Sequence, residues 1–321
     1  MVDLAIDARG LVRDFDDNRA VAGVDLAVQR GEIYGFLGPN GAGKSTTVRM
    51  LCTLLLPTAG EAFVAGHNVV GGAEQVRLRI GVALQEAALD DKQSGREILD
   101  LQARLYGLSP KDRLARIERS LDLADIGDAI DEWVGTYSGG MKRRLDLAAA
   151  LIHDPEVLFL DEPTTGLDPV SRTRVWEEVR RLNDELDVTV FLTTQYLEEA
   201  DELADRVGII ADGLIVQEGT PSELKRAVGN DVIVVELSSD IGLAREAVTP
   251  VPGVIDVTEG RRGLTIAASD GAALVADVAV ALNGIDAAVD ALTVRTPSLD
   301  DVFLQATGYR MSTADEPEEA S

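Results

Sequence analysis

The segment Gly38-Pro39-Asn40-Gly41-Ala42-Gly43-Lys44-Ser45-Thr46 carries the densest chemistry in this chain. Glycine, four residues, glycine, lysine and serine is a spacing whose backbone can bind phosphate, because successive N–H groups turn inward and glycines allow an approach that side chains would block. Lys44 would neutralise phosphate charge, and the Ser45 hydroxyl is a ligand for Mg²⁺. Far downstream, Val157-Leu158-Phe159-Leu160-Asp161-Glu162 is an apolar run that ends in two carboxylates. That order puts both acids at the carboxyl end of a buried strand, where α/β sheets bind ligands. Asp161 can hold Mg²⁺ directly or through water, and Glu162 can accept a proton from water attacking a terminal phosphate. Taken alone, the pair also reads as a solvated strand end. Ser138-Gly139-Gly140, after Tyr137, opens a helical pattern. Its hydroxyl and free N–H groups suit an anion, and equally suit a plain helix cap.

These residues need a frame of strands and helices to bring them together. Apolar patterning predicts strands over 5–15, 21–30 and 33–37, then a helix over 47–56 that Pro57 ends. Between 94 and 123 the pattern is helical, with Ile98, Leu99, Leu101, Leu105, Leu114, Ile117 and Leu121 recurring at three- and four-residue intervals. Helices over 139–153, 169–185 and 197–204 then alternate with strands over 157–161, 188–193 and 206–211. This alternation predicts an α/β domain with a largely parallel sheet. Texture changes near 226–231, after which strands over 232–237, 254–259, 264–267 and 287–294 and helices over 242–248 and 272–282 follow the ferredoxin-like split order. A last amphipathic helix is expected over 299–307, and the acidic residues of 312–321 read as a disordered tail.

At 321 residues the chain is long enough for two domains, and 45% hydrophobic with 27% charged residues is the composition of a globular protein with a sizeable core. The longest charge-free stretches, 50–60 and 62–73, are too short to span a membrane. The start, Met1-Val2-Asp3-Leu4, has no basic region followed by an apolar core, so residence in the cytoplasm is expected. A single cysteine, Cys52, excludes an intrachain disulfide. With 56 acidic against 30 basic residues the net charge is −26, which repels nucleic-acid phosphates and argues against nucleic-acid partners. Only Lys44, Lys92, Lys111, Lys142 and Lys225 are lysines, and such an acidic, lysine-poor chain resembles the halophilic proteins of salt-loving cytoplasms.

Taken together and in this order, the phosphate loop, Gln85, Ser138-Gly139-Gly140, Asp161-Glu162 and Gly166-Leu167-Asp168 resemble the ATP-binding-cassette ATPase family over residues 3 to about 225. The resemblance implies a P-loop NTPase cassette of class α/β over 1–226, with a mixed, largely parallel sheet, an antiparallel β subdomain and a helical subdomain at about 86–153. A small ferredoxin-like α+β domain at 227–309 and the acidic tail at 310–321 would follow. It implies that Phe15 stacks on adenine, an apolar core role being the alternative, that Gln85 reaches Mg²⁺ and senses a permease, and that Ser138–Gly140 closes on the γ-phosphate held by the opposite subunit. Asp168 would lie where the two sites join. ATP and Mg²⁺, a homodimer with two composite sites, and an integral membrane permease that holds the chain at the inner face of the membrane are therefore expected. The family usually carries a histidine after strand 188–193; here it is Gln195, which can hydrogen-bond a phosphate but cannot carry a proton. The acidic run 198–202 reads as a solvated helix face.

The small C-terminal unit, Thr296-Pro297-Ser298-Leu299-Asp300-Asp301-Val302-Phe303-Leu304 and Thr193-Thr194-Gln195-Tyr196 together resemble ATPase subunits of the daunorubicin-resistance type of exporter. An importer ATPase is the nearer competitor. A cassette acting on nucleic acid would call for tandem cassettes, a long coiled-coil insert or a basic surface, and the sequence has none of these. The cargo cannot be read from this chain, since in the family the permease contacts it.

Overall fold

The computed structural model describes residues 3–16, 18–84, 89–238 and 240–308; Gln85 and the tail expected at 310–321 lie outside them. By its contacts the chain divides between Pro221 and Ser222 into two compact units. In the first, strands β1 (Leu4–Phe15), β2 (Asn18–Gln29) and β3 (Ile33–Leu37) precede helix α1 (Lys44–Leu51). Strands β4 (Ala59–Val64) and β5 (His67–Asn68), helix α2 (Ala73–Arg77) and strand β6 (Ile80–Ala83) follow, then helices α3 (Gly95–Leu105), α4 (Pro110–Ala124) and α5 (Gly139–Ala150). Strand β7 (Val157–Asp161), helix α6 (Pro169–Leu186), strand β8 (Thr189–Thr194), helix α7 (Leu197–Leu203) and strands β9 (Arg206–Ala211) and β10 (Leu214–Gly219) complete it.

Two sheets organise this unit. One is antiparallel in the order β2-β1-β4-β5, and the other runs β10-β9-β3-β8-β7-β6. Strands β9, β3, β8, β7 and β6 are parallel, with β10 added antiparallel at the edge. Every residue of β3, β7 and β8 is buried, which is why none of them alternates apolar with charged residues: β3 is apolar throughout, β7 is apolar up to Asp161, and β8 adds only threonines to its apolar centre. Side chains nevertheless alternate between two cores. Val157 and Phe159 join Tyr34, Phe36 and Phe191 in one core with Ile6, Val24 and Met50, while Leu158 and Leu160 join Val175, Val179 and Leu182 of α6 in the other. Phe191 sits at the centre of the first core, its ring centroid 5.5 Å from those of Tyr34 and Phe36 and 5.7 Å from that of Phe159. By the same alternation Asp161 continues the Val157–Phe159 face, towards α1. Helices α3, α4 and α5 share a third core built on Leu99, Ile117, Tyr137 and Leu145.

Helix α1 differs from its expected bounds. It starts at Lys44, because Gly43 (φ 106°) turns the chain into it, and it stops at Leu51, because Thr53 takes a left-handed φ of 63° before Pro57 is reached. Strands β4, β5, β6 and β10 and helix α2 do not emerge from the sequence patterning: β5, β6 and α2 are too short for a periodicity to show, β4 and β6 pair with the distant β1 and β7, and β10 alternates exposed and half-buried residues.

The second unit begins in helix α8 (Pro221–Val228), so the contact division precedes the change of composition near 226–231. Strand β11 (Asp231–Leu237), helix α9 (Ile241–Val248), strands β12 (Val254–Gly260) and β13 (Gly263–Ala268), helix α10 (Gly271–Asn283) and strand β14 (Val289–Arg295) then precede helix α11 (Leu299–Thr307). The sheet order β12-β13-β11-β14, antiparallel throughout, is the ferredoxin-like arrangement, with Ile233, Val235, Leu264 and Ile266 packed against Ala244, Val248, Leu274 and Val278. Among the described residues no helix is long and apolar enough to cross a membrane.

Candidate active site

Parallel pairing places the carboxyl ends of three strands side by side. Leu37 of β3 is in register with Thr194 of β8, and Thr193 is in register with Asp161 of β7. The loop that leaves β3 is Gly38–Gly43, and its first N–H, that of Gly38, donates to the Thr194 carbonyl at 3.2 Å. This loop tolerates only glycine at two points: a Cβ on Gly38 would lie 2.4 Å from the Ile210 carbonyl oxygen, and one on Gly43 would lie 2.5 Å from that of Ala20. Gly41, with φ 83°, turns the loop over Pro39, Asn40 and Ala42, and Thr46 lies in the first turn of α1.

Lys44 is almost fully buried. Its Nζ donates to the carbonyls of Gly38 at 2.7 Å and Pro39 at 3.1 Å and lies 3.3 Å from Glu162 Oε1. Burial pulls its ammonium below the ordinary lysine range, and the Glu162 and Asp161 carboxylates oppose that pull. Ser45 Oγ donates to Asp161 Oδ1 at 3.1 Å. The same carboxylate oxygen accepts from Thr193 Oγ1 at 2.5 Å. The Thr193 hydroxyl also accepts the Glu162 N–H at 3.0 Å, so one side chain fixes both acids. Glu162 takes a left-handed φ of 49°, costly for a residue with a Cβ, and its Oε2 accepts from Thr165 Oγ1 at 3.2 Å. The strained turn faces its carboxylate back at Lys44.

Three other sequence candidates stand apart from this cluster. Ser138 caps α5, accepting from the Met141 N–H at 3.3 Å, and makes no hydrogen bond to the phosphate loop or to Asp161 and Glu162. Ser138 and Gly139 are exposed. Beside them lies the Asp168 segment: a Cβ on Gly140 would sit 3.4 Å from Ser171 Oγ, and one on Gly139 would sit 3.8 Å from Leu167. Asp168 caps α6, accepting from the N–H groups of Val170 and Ser171 at 3.0 Å each and from Ser171 Oγ at 2.5 Å, and these bonds hold its carboxyl below the usual range. Phe15, at the tip of the β1–β2 hairpin, is 40% exposed with the Arg13 guanidinium 4.4 Å over its ring, so it is not a core residue.

Comparison with known proteins bears on this geometry. A family profile described as ABC transporter matches residues 21–165, and one described as ATP-binding protein DrrA1-3-like, C-terminal domain, matches residues 219–307. The chain is 48% identical to the daunorubicin resistance ATP-binding protein DrrA3 of Streptomyces coeruleorubidus, over 96% of this chain and 97% of that one. It is 46% identical to the daunorubicin/doxorubicin resistance ATP-binding protein DrrA of Streptomyces peucetius, over 95% and 93%. The chain belongs to the ABC transporter ATPases. Among solved structures, cbiO1 of Clostridium perfringens, part of the ABC transporter complex cbiONQ, superposes with a TM-score of 0.65 at 26% identity, covering 70% of this chain and 93% of that one. This ABC protein binds and hydrolyses ATP as a subunit of an exporter.

Within the ABC fold the structure adds residues that the sequence hid. Thr193 reads as an ordinary β-former inside an apolar run, and nothing in its spacing marks it as the link between Asp161 and Glu162. The acidic run 198–202 is only partly a solvated face: Glu198, Asp201 and Glu202 are exposed, but Glu199 is fully buried. The reading fails there because Glu199 faces Thr164 and Trp176, two partners supplied by distant segments. Gln195 is half-buried, one residue beyond Thr194, and its side chain makes no hydrogen bond with another described residue.

Proposed function

We propose that this subunit forms an ATP-dependent dimer with a second copy and drives a membrane permease in the export of an antibiotic-like cargo. One observation carries the dimer: the phosphate loop, Asp161 and Glu162 converge in one cluster, while Ser138–Gly140 and the Asp168 segment adjoin each other outside it, with Ser138, Gly139 and Asp168 exposed. Each chain thus supplies one half of two sites. Full-length similarity to daunorubicin-resistance ATP-binding proteins supports antibiotic export, with the permease contacting the cargo and anchoring this subunit at the membrane's inner face. Residues 1–226 form the ATP-binding domain, with a helical subdomain at about 86–153, and 227–309 an accessory domain.

The N–H groups of Gly38–Ser45 and the Lys44 ammonium bind the β- and γ-phosphates, and the exposed Phe15 ring stacks on adenine. The donor set fits Mg²⁺: the Ser45 hydroxyl and the Asp161 carboxylate, 3.1 Å apart, are hard oxygen ligands aimed at each other. Gln85 joins them as a third oxygen donor. When bound, Mg²⁺ neutralises charge on the phosphate oxygens. Glu162, held by Thr165 and by its strained backbone, takes the proton of the attacking water, and the Gln195 amide donates to the γ-phosphate.

Two substitutions test this function. Lys44→Ala weakens nucleotide binding, whereas Glu162→Gln retains ATP and traps a closed dimer, read by gel filtration with ATP and Mg²⁺. A Glu162→Gln chain that binds ATP and stays monomeric refutes the composite site.

A further inference from the structure

Glu199 is a carboxylate with no place in the nucleotide chemistry, yet it is fully buried. Its Oε1 accepts from Thr164 Oγ1 at 2.8 Å and from Trp176 Nε1 at 2.9 Å. Thr164 stands two residues after Glu162, on the segment that leads to Asp168, and Trp176 belongs to α6, the helix that Asp168 caps. A second contact runs beside the first: the Arg172 guanidinium lies 4.3 Å over the Tyr196 ring. Asp168, Arg172 and Trp176 are spaced by four residues, so they follow one stripe of α6. Opposite them, Tyr196 and Glu199 are spaced by three, one turn of α7 apart, and Tyr196 directly follows Gln195. The Thr194 hydroxyl completes the turn by accepting the Tyr196 N–H at 2.8 Å. Among the described residues Glu199 Oε2 makes no close hydrogen bond, although the Thr194 hydroxyl and the positive charges of Arg172 and Arg143 act on the carboxyl. An acid buried in this way is expensive unless it fixes a geometry.

We propose that Glu199 is a positioning residue: by joining Thr164 and Trp176, it locks the turn bearing Gln195 to the segment bearing Glu162 and to the helix capped by Asp168. The proposal rests on the reading of Gln195 as the γ-phosphate donor. Among the described residues Gln195 has no side-chain hydrogen-bond partner to aim its amide, so its position is inherited from the backbone of its turn, which Tyr196 and Glu199 hold against α6. The stripe also ends at Asp168, beside the Ser138–Gly140 segment, so movement of that segment on dimer closure would reach Gln195 through the same two contacts.

The test is a double-mutant cycle on the full chain with ATP and Mg²⁺. Trp176→Phe keeps the ring and deletes one donor; Glu199→Gln keeps the shape and removes the charge. Each is made alone and with Gln195→Ala, and kcat, KM for ATP and Tm are measured. Each single variant is expected to lower kcat about fivefold to tenfold, with KM within about twofold. Added to Gln195→Ala, either is expected to cause no further loss of kcat, because all of them act through one amide. Multiplicative losses in the double variants overturn the proposal, as does parental kcat in both Trp176→Phe and Glu199→Gln. If one variant fails to fold, as its Tm reports, the other decides. Parental kcat in Gln195→Ala alone overturns the reading of Gln195, and this proposal with it, and is a separate outcome from the first two.

Discussion

Thr193→Val is the perturbation that separates this site from a chance cluster of charges. Valine matches threonine in shape, so no cavity opens in the fully buried position, and only the hydroxyl is lost. Two bonds go with it: the 2.5 Å donation to Asp161 Oδ1 and the acceptance of the Glu162 N–H at 3.0 Å. The Glu162 N–H keeps the Thr193 carbonyl at 3.1 Å, so it is not left unpaired, and the full penalty for an orphaned donor does not apply. The bond to Asp161 is to a charged group and contributes about 2 kcal/mol, which in a domain of this size lowers Tm by roughly 5 °C. Among the described residues Asp161 then keeps only the Ser45 hydroxyl to orient it. Removing the partner that orients a metal-binding carboxylate costs tenfold or more in metal affinity, so the Mg²⁺ concentration for half-maximal ATPase should rise by about that factor. The assays are thermal unfolding without nucleotide and ATPase rate against Mg²⁺ concentration at saturating ATP. Parental Tm together with a parental Mg²⁺ requirement would refute the role of Thr193 and the carboxylate geometry built on it.

Three further outcomes follow from other features. The His153 ring, desolvated and stacked on Tyr106 at 3.6 Å, has its pKa pulled down to about 4, so the folded chain holds fewer protons there than the unfolded one as pH falls below 6.5; its contribution is full above 6.5 and is lost on acidification. His153→Phe should therefore gain about 2 kcal/mol relative to the parent between pH 7 and 4.5 by urea unfolding, and a constant difference would refute this. The net charge of −26 should make folding stability rise as salt goes from about 0.1 M to above 1 M, and stability that is flat or falling with KCl would remove the salt-adapted reading. Phe15→Ala should raise KM for ATP several-fold with little change in kcat, because stacking on adenine is equal in ground and transition states; an unchanged KM would take the adenine away from Phe15.

The sequence alone determined whatever is carried by contiguous residues. Gly38–Ser45 is legible because the bonds that shape a phosphate loop, such as Lys44 Nζ to the Gly38 carbonyl six residues back, are local. The strands β3 and β7 are legible for the same reason, since complete burial writes a run of apolar residues without charged alternation. Only the tertiary structure decided the rest. Thr193 meets Asp161 across 32 residues, and Glu199 meets Trp176 across 23 and Thr164 across 35, distances over which no periodicity survives. A threonine in a strand and a glutamate in an acidic helix look alike whether they face water or a partner. Burial is a property of what the fold brings opposite a residue, and parallel pairing of β7 with β8, together with the packing of α6 on α7, is what turned those two side chains inward.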